Sequence, residues 1–282
     1  MGRSPLPPAG GPLFKIHISF SMKNKINTLI GINNLSQVDQ LAYSNHMQFF
    51  YRLGVYKGSE DSKKKLTPEG GKEVNFALCN PRRMSIDRMR NEAAKVALEG
   101  DFDYLMFIDD DVLLPIDAWH RLVEADKDII CGVTHIRGYP YHPMIFNFTD
   151  PAYKKNSFVD DYEEKADKES GLLKVDAVGF SCCLIKVDLL KKVIPPFFVT
   201  GTHQTEDVFF CKRAAEQVAD VSIFAHTWVK TGHLLGTEII HPESVKFQKE
   251  FDEKRYPGIE KTVNPERQDR DPASLMAVLA EK

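Results

Sequence analysis

The stretch Tyr104-Leu-Met-Phe-Ile-Asp-Asp-Asp-Val112 sets three adjacent carboxylates, Asp109, Asp110 and Asp111, at the end of an apolar run. Like charges crowded this closely raise one another's free energy unless a cation or a set of hydrogen-bond donors compensates. Alternation along extended backbone sends Asp109 and Asp111 to one side and Asp110 to the other. Two carboxylates on one side suit a hard divalent ion, Mg2+ or Mn2+, that keeps positions open for a diphosphate. The plainer reading is an acidic turn leading into a helix at Pro115. Asp-x-Asp alone is a weak motif, shared with phosphatases and nucleotidyltransferases.

The elements around this cluster decide where it sits. Leu13 to Phe20 reads as a strand. Ile26 to Leu53 reads as a long amphipathic helix with a break near Asn33-Asn34, and Lys57 to Gly71 as a charged loop. Val74–Cys79 is a second strand. From Ser85 to Leu98 the residues Ile86, Met89, Ala93 and Ala97 recur at helical spacing, with Ser85 as N-cap. Tyr104–Ile108 is short and continuously apolar, as strands covered on both faces are. Pro115 opens a helix through Ala125, at a position where a missing N–H costs little, and Ile129–Val133 is the next strand. Strands and helices in alternation predict an α/β protein with a mostly parallel central sheet flanked by helices. Ligands of such sheets bind beyond the carboxyl ends of the strands, where the aspartates lie.

The second half is less regular. Strand-like runs occur at Met144–Phe148, Leu172–Val178, Phe180–Val187 and Val221–Ala225, with a helix over Thr205–Val218. They predict a smaller antiparallel subregion. The acidic stretch Asp160–Glu169 reads as a mobile loop. Residues 1–12, rich in Pro and Gly, read as a flexible leader. Residues 13–240 read as a single domain, halved near residue 135, and 241–282 as a C-terminal extension.

Composition bounds the partners. With 37 Lys+Arg against 40 Asp+Glu the formal charge is −3, which gives no general attraction to nucleic acid or anionic membrane. The chain has no uncharged apolar run of spanning length. Five cysteines, an odd number without Cys-x-x-Cys, read as reduced thiols packed as small hydrophobes in a cytoplasmic setting.

The ordered motifs resemble GT-A glycosyltransferases, especially the large inverting family two, and the compact, anchor-free layout resembles phage-type stand-alone GT-A enzymes. Asp87-Arg-Met-Arg90-Asn91, then a helix, then Gly100-Asp-Phe-Asp-Tyr-Leu-Met-Phe-Ile-Asp-Asp-Asp111 is similar to that family's nucleotide-sugar half, with Ala93 where the family usually has Gly. Val178-Gly-Phe-Ser-Cys-Cys-Leu-Ile185 resembles the small-residue segment bordering the acceptor site. Thr205-Glu206-Asp207 resembles the family's Glu-Asp pair at a helix start, and His233-Leu-Leu-Gly236 its C-terminal metal-binding histidine. The resemblance implies a nucleotide-sugar half over 13–135 and an acceptor half over 136–240.

The resemblance also implies site roles. Asp109, Asp111 and His233 would hold Mn2+ or Mg2+. Asp109, Asp110, Arg90, Asn91 and Ser19 would face the nucleotide-sugar, a UDP-sugar in most similar proteins. Asp207, with Glu206 beside it, would accept the proton of an acceptor hydroxyl and so invert the anomeric centre. Each has an ordinary alternative: Arg90 as a surface helix residue, Glu206 and Asp207 as acids complementing a helix dipole, His233 as one of nine histidines beside His203, His226 and His241. The acceptor stays open among a hydroxymethylated pyrimidine in DNA, a glycan, a small metabolite and a protein hydroxyl. DNA would need a basic surface, for which Arg82, Arg83, Arg88, Lys191 and Lys192 are candidates. A sugar nucleotidyltransferase and a non-catalytic sugar-nucleotide or glycan-binding module are the rival readings. The first usually carries a glycine-rich basic loop after its first strand, where this chain has Ser21-Met-Lys-Asn-Lys25.

Overall fold

The computed structural model describes residues 25–33, 40–56, 73–81, 84–150, 155–201, 204–235, 238–245 and 249–250. The leader 1–12, the strand expected at 13–20 with Ser19, the loop at 57–71, Arg82, Arg83 and His203 lie outside the described residues. The strands are β1 (Lys25–Asn33), β2 (Glu73–Cys79), β3 (Tyr104–Asp109), β4 (Val112–Leu113), β5 (Ile129–Val133), β6 (Ile145–Phe148), β7 (Asn156–Phe158), β8 (Leu172–Lys174), β9 (Ala177–Val178), β10 (Cys182–Lys186), β11 (Ile223–Lys230), β12 (Gly232–Leu235) and β13 (Glu238–Ile240). The helices are α1 (Gln40–Tyr56), α2 (Ile86–Glu99), α3 (Ala118–Glu124), α4 (Tyr162–Lys165), α5 (Val187–Leu190) and α6 (Glu206–Gln217).

The central sheet has seven strands in the order β2-β1-β3-β10-β5-β11-β8. Strands β1, β2 and β3 run parallel. Strand β10 runs antiparallel between β3 and β5, β11 is parallel to β5, and β8 closes the edge antiparallel. Two small antiparallel sheets, β13-β12-β4 and β7-β6-β9, complete the α/β architecture that the sequence predicts.

Strand β3 shows why. Leu105, Met106, Phe107 and Ile108 are all fully buried. Leu105 and Phe107 pack with Ala93 and Ala97 of α2 and Phe210 and Ala214 of α6. Met106 and Ile108 pack on the other face with Phe49 and Leu53 of α1 and Trp119 and Leu122 of α3. A strand with a core on each side must be apolar throughout, and truncating a residue such as Phe107 to Ala costs about 3–5 kcal/mol.

The reading of 26–53 as one interrupted helix is corrected: its first part is strand β1 and only 40–56 is helical. Two polar residues hid the strand. Asn27 and Thr28 are buried but bonded: the Asn27 N–H donates to Asp103 Oδ2 at 2.8 Å, and Thr28 Oγ1 accepts Trp119 Nε1–H at 3.2 Å. The acidic stretch 160–169 is likewise no plain loop. It contains α4, whose Tyr162 and neighbouring Ala166 insert into the core. Residues 172–178 are two strands in different sheets, β8 and β9. Helix α3 begins at Ala118, not Pro115, and β11 runs on to Lys230.

Candidate active site

Strand β3 ends at Asp109, and residues 110 and 111 form a turn into β4. Helix α1 fixes that turn from behind. Asn45 Nδ2 donates to the Leu114 carbonyl at 3.1 Å while Asn45 Oδ1 accepts the Leu114 N–H at 2.8 Å. His46 Nε2 lies 2.8 Å from the Val112 carbonyl, so it carries the proton and donates. The side-chain alternation expected across Asp109–Asp111 therefore stops at Asp109. The outer aspartates take different partners, and Asp110 lies half-buried between them.

Asp109 joins a buried cationic bridge. Arg90, 2% exposed, places Nη2 at 3.1 Å from Asp109 Oδ1 and Nε at 3.3 Å from Glu206 Oε1. Its guanidinium lies 5.2 Å from the Phe107 ring centre and 5.4 Å from that of Phe180. Burial works against this charge, but Asp109 and Glu206 hold its pKa above the ordinary value. The contact to Glu206 is an ion pair without hydrogen-bond geometry, and Nη1 is buried without a hydrogen-bond partner among the described residues. Glu206 is buried too, and burial pushes its carboxyl up to about 6, with Asp207 and Asp109 adding and Arg90 opposing. Arg90, expected beside the nucleotide, thus ties the end of β3 to the start of α6.

Asp111 belongs to the other side of the turn. Its carbonyl accepts the Leu234 N–H at 2.9 Å, and β12 pairs His233 with Val112 of β4. This small sheet brings His233 Nε2 to 3.5 Å from Asp111 Oδ2. His233 Nδ1 lies 2.7 Å from the His135 carbonyl, which only accepts, so Nδ1 carries the proton. In the neutral ring Nε2 then turns a lone pair toward a carboxylate oxygen. Two acceptors face each other unless a cation or a second proton lies between them. Arg137 reaches the same oxygen, with Nη1 at 2.9 Å from Oδ2. Burial works to raise the Asp111 carboxyl, but His233, through its protonated ring, and then Arg137 hold it below the usual carboxylate value.

Asp111 and His233 fit a divalent ion by this donor chemistry. A ring oriented through Nδ1–H···O=C is the usual state of a metal-binding histidine. Mg2+ and Mn2+ sites commonly draw few ligands from the protein and fill the rest with phosphate oxygens and water. Among the described residues no group of three or more His, Cys, Asp or Glu side chains converges for a metal. The arrangement is a pair.

Asp207, in the first turn of α6, is half-buried; its Oδ1 accepts from the Thr205 hydroxyl and from the Val208 N–H at 2.7 Å. Asn91 is fully engaged with the backbone of 197–198. Its Oδ1 accepts the Phe197 and Phe198 N–H groups at 3.0 and 3.3 Å, and its Nδ2 donates to the Phe198 carbonyl at 2.6 Å and the Asp87 carbonyl at 2.8 Å. Of the competing histidines, His226 is a buried member of β11, and the His241 carbonyl accepts the Ser244 and Val245 N–H groups. Lys191 pairs with Asp188 at 2.8 Å. The sequence reading missed Arg137. Its only signal was a lone Arg-Gly between Ile136 and Tyr139, which nothing in the local pattern connects to Asp111.

No family model matches the chain, and no curated protein matches its sequence. Solved structures that resemble it include A197 from STIV, at 18% identity and TM-score 0.47, covering 77% of this chain and 91% of that one. GalNAc-T7 with UDP, GalNAc and Mn2+ aligns at 12% identity and TM-score 0.46, covering 77% of this chain and 45% of that one. S. aureus TarS aligns at 12% identity and TM-score 0.35, covering 72% and 36%. The chain spans less than half the length of the last two. Similarities this distant concern the fold alone.

Proposed function

We propose that this chain is a metal-dependent glycosyltransferase that moves a sugar from a nucleoside diphosphate sugar, a UDP-sugar before others, to an acceptor hydroxyl. The observation that carries the proposal is the Asp111–His233 pair: an imidazole oriented through Nδ1, with its Nε2 3.5 Å from a carboxylate oxygen. It sits past the carboxyl end of a parallel strand, where ligands of such sheets bind. Asp111 and His233 would hold Mn2+ or Mg2+, with Asp109, already paired with Arg90, as a further carboxylate beside them. When bound, the ion offsets the charge developing on the departing diphosphate.

The two acids at the start of α6 divide their work. Glu206 is enclosed against Arg90 and fixes the helix end relative to β3. Asp207 keeps solvent access, and among the described residues nothing bonds its Oδ2. It accepts the acceptor's proton as that oxygen attacks the anomeric carbon, which one base on one face achieves with inversion. The acceptor class extends from a hydroxymethylated pyrimidine in DNA to a glycan or small molecule.

The test is release of nucleoside diphosphate from a panel of sugar donors, with and without Mn2+, in wild type and Asp111→Ala. The proposal expects metal-dependent release from at least one donor and none from the variant. Pyrophosphate exchange between a nucleoside triphosphate and a sugar phosphate would instead mark a nucleotidyltransferase. Donor binding without turnover in any acceptor mixture would mark a binding module.

A further inference from the structure

Asp111 Oδ2 is contacted twice, by His233 Nε2 at 3.5 Å and by Arg137 Nη1 at 2.9 Å. Arg137 rides on an ordered hairpin. The Met144 N–H donates to the Thr134 carbonyl at 2.8 Å, the Ile136 N–H to the His142 carbonyl at 2.9 Å, and the Tyr141 N–H to the Gly138 carbonyl at 2.8 Å. His135, in the same hairpin, supplies the carbonyl that orients His233 and donates its own Nδ1–H to the Tyr141 carbonyl at 2.5 Å. The hairpin thus aims both the imidazole and the guanidinium at one carboxylate oxygen. Yet the two are held differently. The His233 side chain is 11% exposed and that of Arg137 is 50% exposed, with Asp111 its one ion-pair partner among the described residues. A Cβ added at the next residue, Gly138, would meet nothing within 4 Å, so the hairpin backbone is open there too.

A divalent ion on Asp111 Oδ2 and a guanidinium on the same oxygen repel each other at contact distance. One must yield, and Arg137 is the one with room. The nearest anion that arrives with the ion is the donor's diphosphate, whose oxygens a planar guanidinium can grip at two points. We infer that Arg137 is a diphosphate-binding residue that neutralises Asp111 until the ion and donor bind, then transfers its contact to the phosphates. This inference rests on the glycosyltransferase reading. It makes ion and donor binding cooperative: the ion displaces a cation to enter, and the donor supplies that cation with a new partner.

The experiment measures two affinities separately in wild type, Arg137→Ala, Arg137→Lys and Asp111→Ala. Mn2+ binding without nucleotide is followed by the electron paramagnetic resonance of free Mn2+, and UDP binding to the Mn2+-loaded protein by calorimetry. Arg137→Ala is expected to bind Mn2+ alone about threefold or more tightly, its competitor being gone, and UDP about tenfold or more weakly, the loss typical of a charged hydrogen bond. Arg137→Lys, which keeps the charge but not the fork, falls between on UDP and stays near wild type on Mn2+. Arg137→Ala that leaves both affinities unchanged, or weakens Mn2+ binding, overturns the inference while leaving the ion site intact. Wild type that binds Mn2+ no better than Asp111→Ala removes the ion site itself and the inference with it.

Discussion

His233 Nε2 faces Asp111 Oδ2 at 3.5 Å while the same ring donates Nδ1–H to the His135 carbonyl at 2.7 Å. The two contacts belong together. The carbonyl fixes the tautomer, and the tautomer decides what Nε2 offers to the carboxylate. Both partners are set by backbone pairing: His233 by its β12 register with Val112, and Asp111 by its carbonyl's bond to Leu234. The pair is held before any ligand arrives, which lowers the cost of binding an ion there.

The proposed base has a direct test. Asp207→Asn keeps the shape and the helix-end contacts but cannot take a proton. Donor binding should persist, measured as UDP affinity by calorimetry, while sugar transfer falls about a hundredfold or more, the loss usual for a general base. Unchanged transfer would return Asp207 to a purely helix-capping role with Thr205 and Val208.

Glu206 gives the protein a pH signature. Burial raises its carboxyl from 4.5 to about 6 in the folded chain. The folded state therefore holds that proton more tightly than the unfolded state does. The group contributes stability that is fully present below pH 4.5 and lost as pH rises through 6, worth about 2 kcal/mol. Glu206→Gln mimics the protonated form. Urea denaturation from pH 4.5 to 8 should show the variant gaining on wild type across this interval and levelling off above it. A stability difference that does not change with pH would contradict the raised value.

Asn91 should matter for stability before anything else. Its amide satisfies backbone groups of Phe197 and Phe198, both residues being buried. Asn91→Ala leaves those groups without partners and should cost about 2–3 kcal/mol in urea denaturation. Asn91→Asp keeps the acceptors but turns an oxygen toward the Phe198 carbonyl, so it should destabilise as well. A nucleotide-facing role would show the opposite pattern, weakened UDP binding with stability intact.

Local pattern revealed β3, α2 and the start of α6, because each obeys one period and is anchored by its own residues. Leu105 to Ile108 are apolar on both faces, and Met89, Ala93 and Ala97 recur on the buried side of one helix. Strand β1 was obscured by Asn27 and Thr28, whose burial depends on Asp103 and Trp119 far along the chain. Strands β4, β12 and β13 are two to four residues long, too short for periodicity, and β4 joins the other two only by pairing with β12 across more than a hundred residues. The same reason explains the site. The acids of 109–111 and 206–207 are visible as residue types. Their division into an Arg90 bridge and a His233 pair, and the reach of Arg137, come from contacts between elements that no local window contains.

The most direct measurement is electron spin-echo envelope modulation on the Mn2+-loaded protein, which detects nitrogen bonded to the ion. The account predicts 14N modulation from one imidazole, present in wild type and absent in His233→Ala, with weakened Mn2+ binding in Asp111→Ala. Modulation that survives in His233→Ala, or its absence from wild type with Mn2+ bound, would contradict an ion shared by Asp111 and His233.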